Sequence, residues 1–340
     1  MTTGVPAAVR PVPGAAAVAR ELCSLQGCAE AELVTSTLHG AWDLGGMIDG
    51  RREAVYVDAD VYPILRVAAL RARIRGVTVR DVGHHEPAAL ERSMYGDRRR
   101  PVVLVDGISP AAGGAAPLRA YLEVARRGGG LLVVDDTQAA GILGEPGGAV
   151  PAWGRGGGGS LPHHGLRRAP DVLLLTSFAK ALGAPLAALG GAPELIERYR
   201  SGADTRVHCS PVSVAAVRAL EHALVSNRDH GERLRWLAAR AVVRFRRRLG
   251  ELGVHADGGS LPVQALPQLP LKAAAALHRH LLAHGIYAVP QSRLAGAAGR
   301  EVFVLTARTT DADVDAACEA VARAPQLELL RRDRRDRAAA

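Results

Sequence analysis

Short apolar runs recur along the chain at the spacing of an alternating strand and helix fold. Ala54–Val57, Val77–Val82, Pro101–Val105 and Leu131–Asp135 are bounded by polar or turn-forming residues, as strands buried on both faces are. Val61–Ile74 and Pro117–Arg126 between them carry helical spacing. A strand ending near Thr176 and the apolar segment Leu186–Leu189 continue the series. From about Glu32 this order predicts a parallel α/β sheet. Residues 1–30 read as a poorly ordered lead. The stretch 147–166, with Gly-Arg-Gly-Gly-Gly-Gly-Ser at 154–160, reads as a flexible connector that holds His163 and His164 in an exposed loop. No lysine follows these glycines, so they are not a phosphate loop. Val212–Leu249 predicts a long helix broken near Asn227. Beyond it, strands at 261–266, 286–289 and 302–305 and helices at 271–283 and 311–324 predict a smaller α+β module. The expected division is therefore a large domain over 31–230, a small one over 231–328 and a disordered tail over 329–340.

Two of the runs end in candidate chemistry. Leu131-Leu132-Val133-Val134 leads into Asp135-Asp136-Thr137-Gln138, and Leu173-Leu174-Leu175 leads into Thr176-Ser177-Phe178-Ala179-Lys180. A parallel strand delivers such residues to a site at its C-terminal end. A lysine that can form a Schiff base and a carboxylate that can hold a pyridinium nitrogen protonated are the two groups that pyridoxal phosphate most needs. Lys180 and Lys272 are the candidate lysines, and Lys272 falls in a helical, exposed stretch. Asp136 also suits a helix N-cap. Thr35-Ser36-Thr37 precedes a helix beginning near Gly40, and hydroxyls with free amides at a helix start suit a phosphate or simple capping.

Bulk composition narrows the classes. The 340 residues are 48% hydrophobic, enough for a sizeable core. Lacking an apolar run of membrane length or a signal peptide, the chain is expected to be cytoplasmic, with no membrane partner. Net charge is +9, but aromatics are only 4% and stand apart from the arginine runs. Nucleic-acid binding is therefore not expected, because stacking platforms are missing. Cys23, Cys28, Cys209 and Cys318 match no zinc signature and no disulfide scaffold, so they read as reduced thiols. No metal site is expected.

Taken in order, these segments resemble the α-oxoamine synthases, a group of fold-type I pyridoxal-phosphate transferases. The match runs from about Ala31 to Ala324. It rests on Val134–Glu145, Thr176–Ala184 and Leu305–Asp315 together. The resemblance implies a mostly parallel, seven-stranded-type sheet in a large cofactor-binding domain, a smaller C-terminal α+β domain and a homodimer. It makes Lys180 the Schiff-base lysine and Asp135 the pyridinium partner. Ser36, Thr37, Ser177 and Ser210 become phosphate contacts, with His208 an alternative to Ser210 in the segment that reaches the neighbouring subunit. Tyr62 stands where the family has a histidine stacked on the ring. The implied reaction is decarboxylative condensation of an amino acid with an acyl thioester on coenzyme A or a carrier protein.

Three departures modify that implication. Gln138 stands where the synthases have histidine; an amide keeps the hydrogen bond to the cofactor's phenolic oxygen but exchanges no proton near neutral pH. Asp-x-x-Gln also resembles cysteine desulfurases and sugar aminotransferases, although Ala179 replaces the desulfurase histidine. Val302 occupies the substrate-carboxylate arginine's place, leaving Arg300 or Arg308 as substitutes, or an amino substrate with no free α-carboxylate at this point. The family's N-terminal part is shortened. An aminotransferase, or a non-catalytic regulatory relative, are the alternatives.

Overall fold

The computed structural model describes residues 4–109, 114–292 and 298–331. They fall into two compact units, Met1–Ser109 with Ala115–Gly231, and Pro110–Gly114 with Glu232–Ala340.

The first unit begins with α1 (Ala15–Gln26), β1 (Glu30–Val34) and α2 (Thr37–Met47). Then β2 (Glu53–Asp58), α3 (Pro63–Ile74), β3 (Val79–Val82), α4 (Pro87–Met94), β4 (Arg100–Asp106), α5 (Leu118–Arg127) and β5 (Leu131–Asp135) alternate. It continues through α6 (Ser160–His164), β6 (Val172–Ser177), β7 (Ala187–Gly191), α7 (Pro193–Gly202) and α8 (Asp204–His208). Its seven strands lie in the order β1-β7-β6-β5-β4-β2-β3. Strands β3, β2, β4, β5 and β6 are parallel, whereas β7 runs antiparallel to both β6 and β1. Alternate residues of each central strand serve opposite cores. Val55, Val57, Leu104 and Val133 join α2 and α3, while Tyr56, Val103, Val105 and Val134 join α5. Cover on both faces explains why these strands read as continuous apolar runs.

Helix α9 (Val214–Glu251) is uninterrupted. The expected break at Asn227 is absent; its side chain donates to the Gly156 carbonyl at 3.0 Å. The second unit holds β8 (Val263–Ala265), β9 (Leu269–Pro270), α10 (Leu271–Ala283), β10 (Val289–Ser292), β11 (Ala298–Val304) and α11 (Asp311–Ala322). Its strands are all antiparallel, with β11 between β10 and β8. Leu277, Leu281, Phe303, Val314 and Val321 share one core with Phe245. Strand β10 starts three residues later than expected, since His284 and Gly285 first close the end of α10. Most of the tail expected over 329–340 lies outside the described residues.

Two further expectations are corrected. Residues 15–26, placed in a poorly ordered lead, form α1; Val18 and Leu22 are buried with Phe178 and Leu186 beneath the turn that carries Lys180. The glycine-rich stretch is packed instead of flexible. Trp153 and Leu161 are buried, and backbone bridges join Glu145 to Arg155 and Ala140 to Gly158. A Cβ on Gly158 would stand 2.2 Å from the Leu25 carbonyl oxygen, so this glycine serves close approach. His163 and His164 are half-buried, and burial lowers the His164 pKa to about 4.

Candidate active site

Strand register sets a row of polar residues along one edge of the large sheet. Val34 and Ser177 both pair with Ala187. Asp135 pairs with Leu175 on one side and Asp106 on the other. Asp58 ends β2 beside Val82 of β3. All lie at the C-terminal ends of the parallel strands, where such sheets bind ligands.

Asp135 is 6% exposed and accepts the Thr137 amide at 3.0 Å. Among the described residues no basic side chain pairs with it, and burial raises its pKa. Asp106 beside it is also buried; one carboxylate oxygen accepts the Tyr62 amide at 2.7 Å and the other has no hydrogen-bond partner among the described residues. Burial, and then the charge of Asp135, push Asp106 well above the usual carboxylate range. Asp106 shows the same sequence signal as Asp135, an apolar run ending in an acid, and was missed because no resemblance marked it.

Asp58 behaves oppositely. Burial alone would raise its pKa, but the His85 amide, His84 Nδ1, the Asp60 amide and the Tyr121 hydroxyl all donate to it and lower it. Asp58, His84 and His85 lie close enough to surround an ion, with ligand atoms within 4.8 Å of one another. Each Asp58 oxygen already accepts two hydrogen bonds, so the carboxylate is committed to fixing the loop after β3.

The turn after β5 meets the turn after β6. Thr137 Oγ1 accepts the Ser177 amide at 3.0 Å, and a Cβ on Gly141 would fall 2.6 Å from Ala181 Cβ. Gln138 is half-buried in the first turn. In the second, Phe178 takes the buried position and leaves Ala179, Lys180 and Ala181 exposed. Lys180 thus stands in solvent at the end of the turn, outside the buried sheet. Ser177 Oγ accepts the Ala179 amide at 3.4 Å.

The start of α2 reaches the same edge through Val34. Ser36 caps it, accepting the His39 amide at 3.4 Å and bonding His39 Nδ1 at 2.8 Å. The helix begins at Thr37, earlier than the predicted Gly40. Gly40 instead lets α2 lie against β6, since a Cβ there would stand 2.7 Å from Leu175 Cδ1. Thr35 Oγ1 donates to the Ser210 carbonyl at 3.2 Å and so brings the segment Cys209–Pro211 to this helix end within one chain. His208 is exposed. Tyr62 precedes α3 and is 48% exposed, so it is not a core tyrosine.

The arginines weighed for a substrate carboxylate belong to the second unit. Val302 is buried and pairs with Ala265. Arg300 is 9% exposed and donates through Nε to Gln291 at 2.8 Å, so its guanidinium is engaged inside its own unit. Arg308 is exposed, as is Lys272.

Asp136 caps a helix, though a remote one: both its oxygens accept the amide of Ser160, the first residue of α6, at 3.1 and 3.2 Å. Full burial pushes its pKa up to about 7. The folded state therefore holds this proton more tightly than the unfolded chain. Stability from that proton is complete below about pH 4 and is lost as pH rises through about 7. The Asp136→Asn variant keeps an acceptor for Ser160 and has no proton to lose. Relative to wild type, it should gain on the order of 3 kcal/mol between pH 4 and 8. Urea unfolding of both proteins across that range measures the difference, and a constant difference would refute the assignment.

The aminotransferase class I and II family model matches residues 12–321. A putative 8-amino-7-oxononanoate synthase of Geobacillus kaustophilus is 30% identical over 247 residues, 70% of this chain and 60% of that protein. The 8-amino-7-oxononanoate synthase of Nitrosococcus oceani is 30% identical over 269 residues, 78% of this chain and 67% of its own length. Among solved structures, serine palmitoyltransferase from S. paucimobilis with bound PLP-myriocin aldimine superposes with a TM-score of 0.80. That match covers 92% of this chain and 76% of the other at 16% identity, a likeness of fold. The mostly parallel seven-stranded sheet, the row of strand-end residues and the length of the match agree: the chain belongs to the aminotransferase class I and II family.

Proposed function

We propose that the chain binds pyridoxal phosphate at the C-terminal edge of its seven-stranded sheet and condenses an amino acid with an acyl thioester, releasing carbon dioxide. One observation carries this reading. Asp135, a buried carboxylate with no cation of its own among the described residues, and Lys180, an exposed amine, stand on strand ends joined by the Thr137–Ser177 hydrogen bond. A carboxylate that burial disfavours as an anion gains stability by facing a protonated ring nitrogen. The donor set fits the rest of the cofactor. Ser36, Thr37 and the first amides of α2, with Ser177 and Ser210, offer groups for its phosphate. The exposed ring of Tyr62 offers a face for stacking.

When bound, the cofactor supplies an electron sink for charge left on the substrate's Cα. The chain's own residues do the rest. Asp135 holds the proton on the ring nitrogen. Lys180 supplies the amine that fixes the cofactor and, once released, the base that takes a proton from Cα. Gln138 offers a neutral amide to the phenolic oxygen and moves no proton. The synthase names of the relatives above support the condensation, with coenzyme A or a carrier protein bearing the acyl group. A homodimer is supported by the exposed Leu38 and Trp42 of α2 and Leu70 and Ile74 of α3, apolar side chains suited to a second copy. No helix among the described residues is long and apolar enough to cross a membrane, which accords with a cytoplasmic location.

Gln138 favours one second reading, an aminotransferase, because that reaction can rest on Lys180 alone for proton transfer. Purified protein loaded with the cofactor and given a panel of amino acids, with and without acyl-coenzyme A, separates them. Thioester consumption matched by carbon dioxide release is expected. An oxo acid formed without thioester loss would establish transamination instead. A bound cofactor with neither product would point to a non-catalytic relative.

A further inference from the structure

Two cysteines at the end of α1 lie outside the machinery described above. Cys23 sits in the last turn of the helix, and Cys28 follows its left-handed cap, Gly27, whose φ is 74°. A left-handed cap that bonds back to the Cys23 carbonyl lays the residue after it over the last helical turn, which sets the Cys28 side chain beside Cys23. Backbone bonds fix the segment between and around them. The Gly27 amide donates to the Cys23 carbonyl at 2.9 Å, the Arg168 amide to the Gly27 carbonyl at 2.6 Å, and the Ala29 amide to the Gly191 carbonyl at 3.1 Å.

Access to the two sulfurs differs. Cys28 is 6% exposed and is pressed against Gly190, where an added Cβ would come within 2.9 Å of its Sγ. Cys23 is half-buried, so solvent reaches that side of the pair. Arg167 lies across the same segment. Its guanidinium donates to the Ser24 carbonyl at 2.7 Å, and its stem packs on Gly27.

We propose that Cys23 and Cys28 are a modification site, a dithiol that hydrogen peroxide converts into a reversible disulfide. The contact with Cys28 lowers the Cys23 thiol pKa, while that same contact and burial raise the Cys28 pKa, so Cys23 is the nucleophile. Cys23 thiolate attacks the peroxide O–O bond, keeps one oxygen as a sulfenic acid and releases hydroxide, which is protonated to water. The Cys28 sulfur then displaces the sulfenic hydroxyl; the S–S bond forms, the Cys28 proton leaves with that hydroxyl, and a second water results. Two thiols lose two electrons and one peroxide gains two. A dithiol reductant reverses the bond by exchange.

The four cysteines are free in the structure, and Cys23 and Cys28 are neighbours at the end of α1. Their closure has a path to the edge described above. Gln26, between them, is 1% exposed and donates from Nε2 to Thr176 Oγ1 at 3.0 Å, and Thr176 precedes Ser177.

Peptide mapping of the full chain tests the proposal. Trypsin releases Glu21–Arg51, which holds Cys23 and Cys28 and neither of the other cysteines. After hydrogen peroxide and then alkylation, this peptide should lose both alkylation sites together and weigh two hydrogens less. Dithiothreitol should restore both sites. Cys23→Ser or Cys28→Ser should abolish the two-hydrogen loss, and Cys209→Ser should leave it intact. The proposal fails if one thiol becomes a sulfinic acid while the other stays alkylatable. A cross-link from Cys23 to Cys209 or to a second copy would equally overturn it. The wild-type map decides alone if a serine variant does not fold.

Discussion

Replacing Lys180 with alanine should leave the fold untouched and abolish turnover. The side chain is exposed and no hydrogen bond or ion pair to it is seen among the described residues, so unfolding should shift by no more than about 0.5 kcal/mol. Loss of the amine removes both the covalent hold on the cofactor and the base at Cα. Removing the base alone costs about 10²–10⁴-fold. Turnover should therefore drop by at least that factor, and the visible absorption that the wild-type protein shows with pyridoxal phosphate should be missing from Lys180→Ala. Lys180 and Lys272 are the only lysines in the sequence. Borohydride reduction of the loaded wild type followed by peptide mapping thus gives a two-way answer, and cofactor found on Lys272 would sink the assignment.

Asp135→Asn should separate binding from chemistry. Asparagine nearly matches aspartate in shape and can still accept the Thr137 amide. It carries no charge with which to hold a proton on the ring nitrogen. Losing one preorganised electrostatic partner costs about 10²–10³-fold in turnover. The groups proposed for the phosphate are untouched, so the cofactor should still be retained on gel filtration. The variant should also escape the cost of burying an anion that raises the wild-type Asp135 pKa, and so be no less stable near neutral pH. Wild-type turnover in Asp135→Asn would refute the role given to this carboxylate.

Much of the large sheet was legible because its strands are buried on both faces. Ala54–Val57, Pro101–Val105 and Leu131–Asp135 could hardly be anything else once turn residues bounded them, and each emerged within a residue or two. Helix α1 was not legible. Its alanine-rich sequence has few large apolar residues, and its place is set by contacts with Phe178 and Val217, far along the chain. The strand-end acids were readable one at a time, but their lateral order was not. Asp106 beside Asp135 depends on β4 pairing with β5, a fact of topology. Lys180 was found by its position after an apolar strand; its exposure depends on Phe178 claiming the buried place in the turn.

The stretch 147–166 bears on how the protein can be engineered. By composition it invites an affinity tag, a fused reporter or new chain termini, since polar, glycine-rich loop tips usually tolerate them. Here the glycines occupy backbone conformations and close approaches that few side chains could share. A Cβ on Gly159, at φ 90°, would fall 1.9 Å from an Asp136 oxygen. An insertion at that point would pull Ser160 from Asp136 and unseat the residue next to Asp135. Gly96 offers the better graft point: it follows the exposed Tyr95 and has open space where a side chain would project.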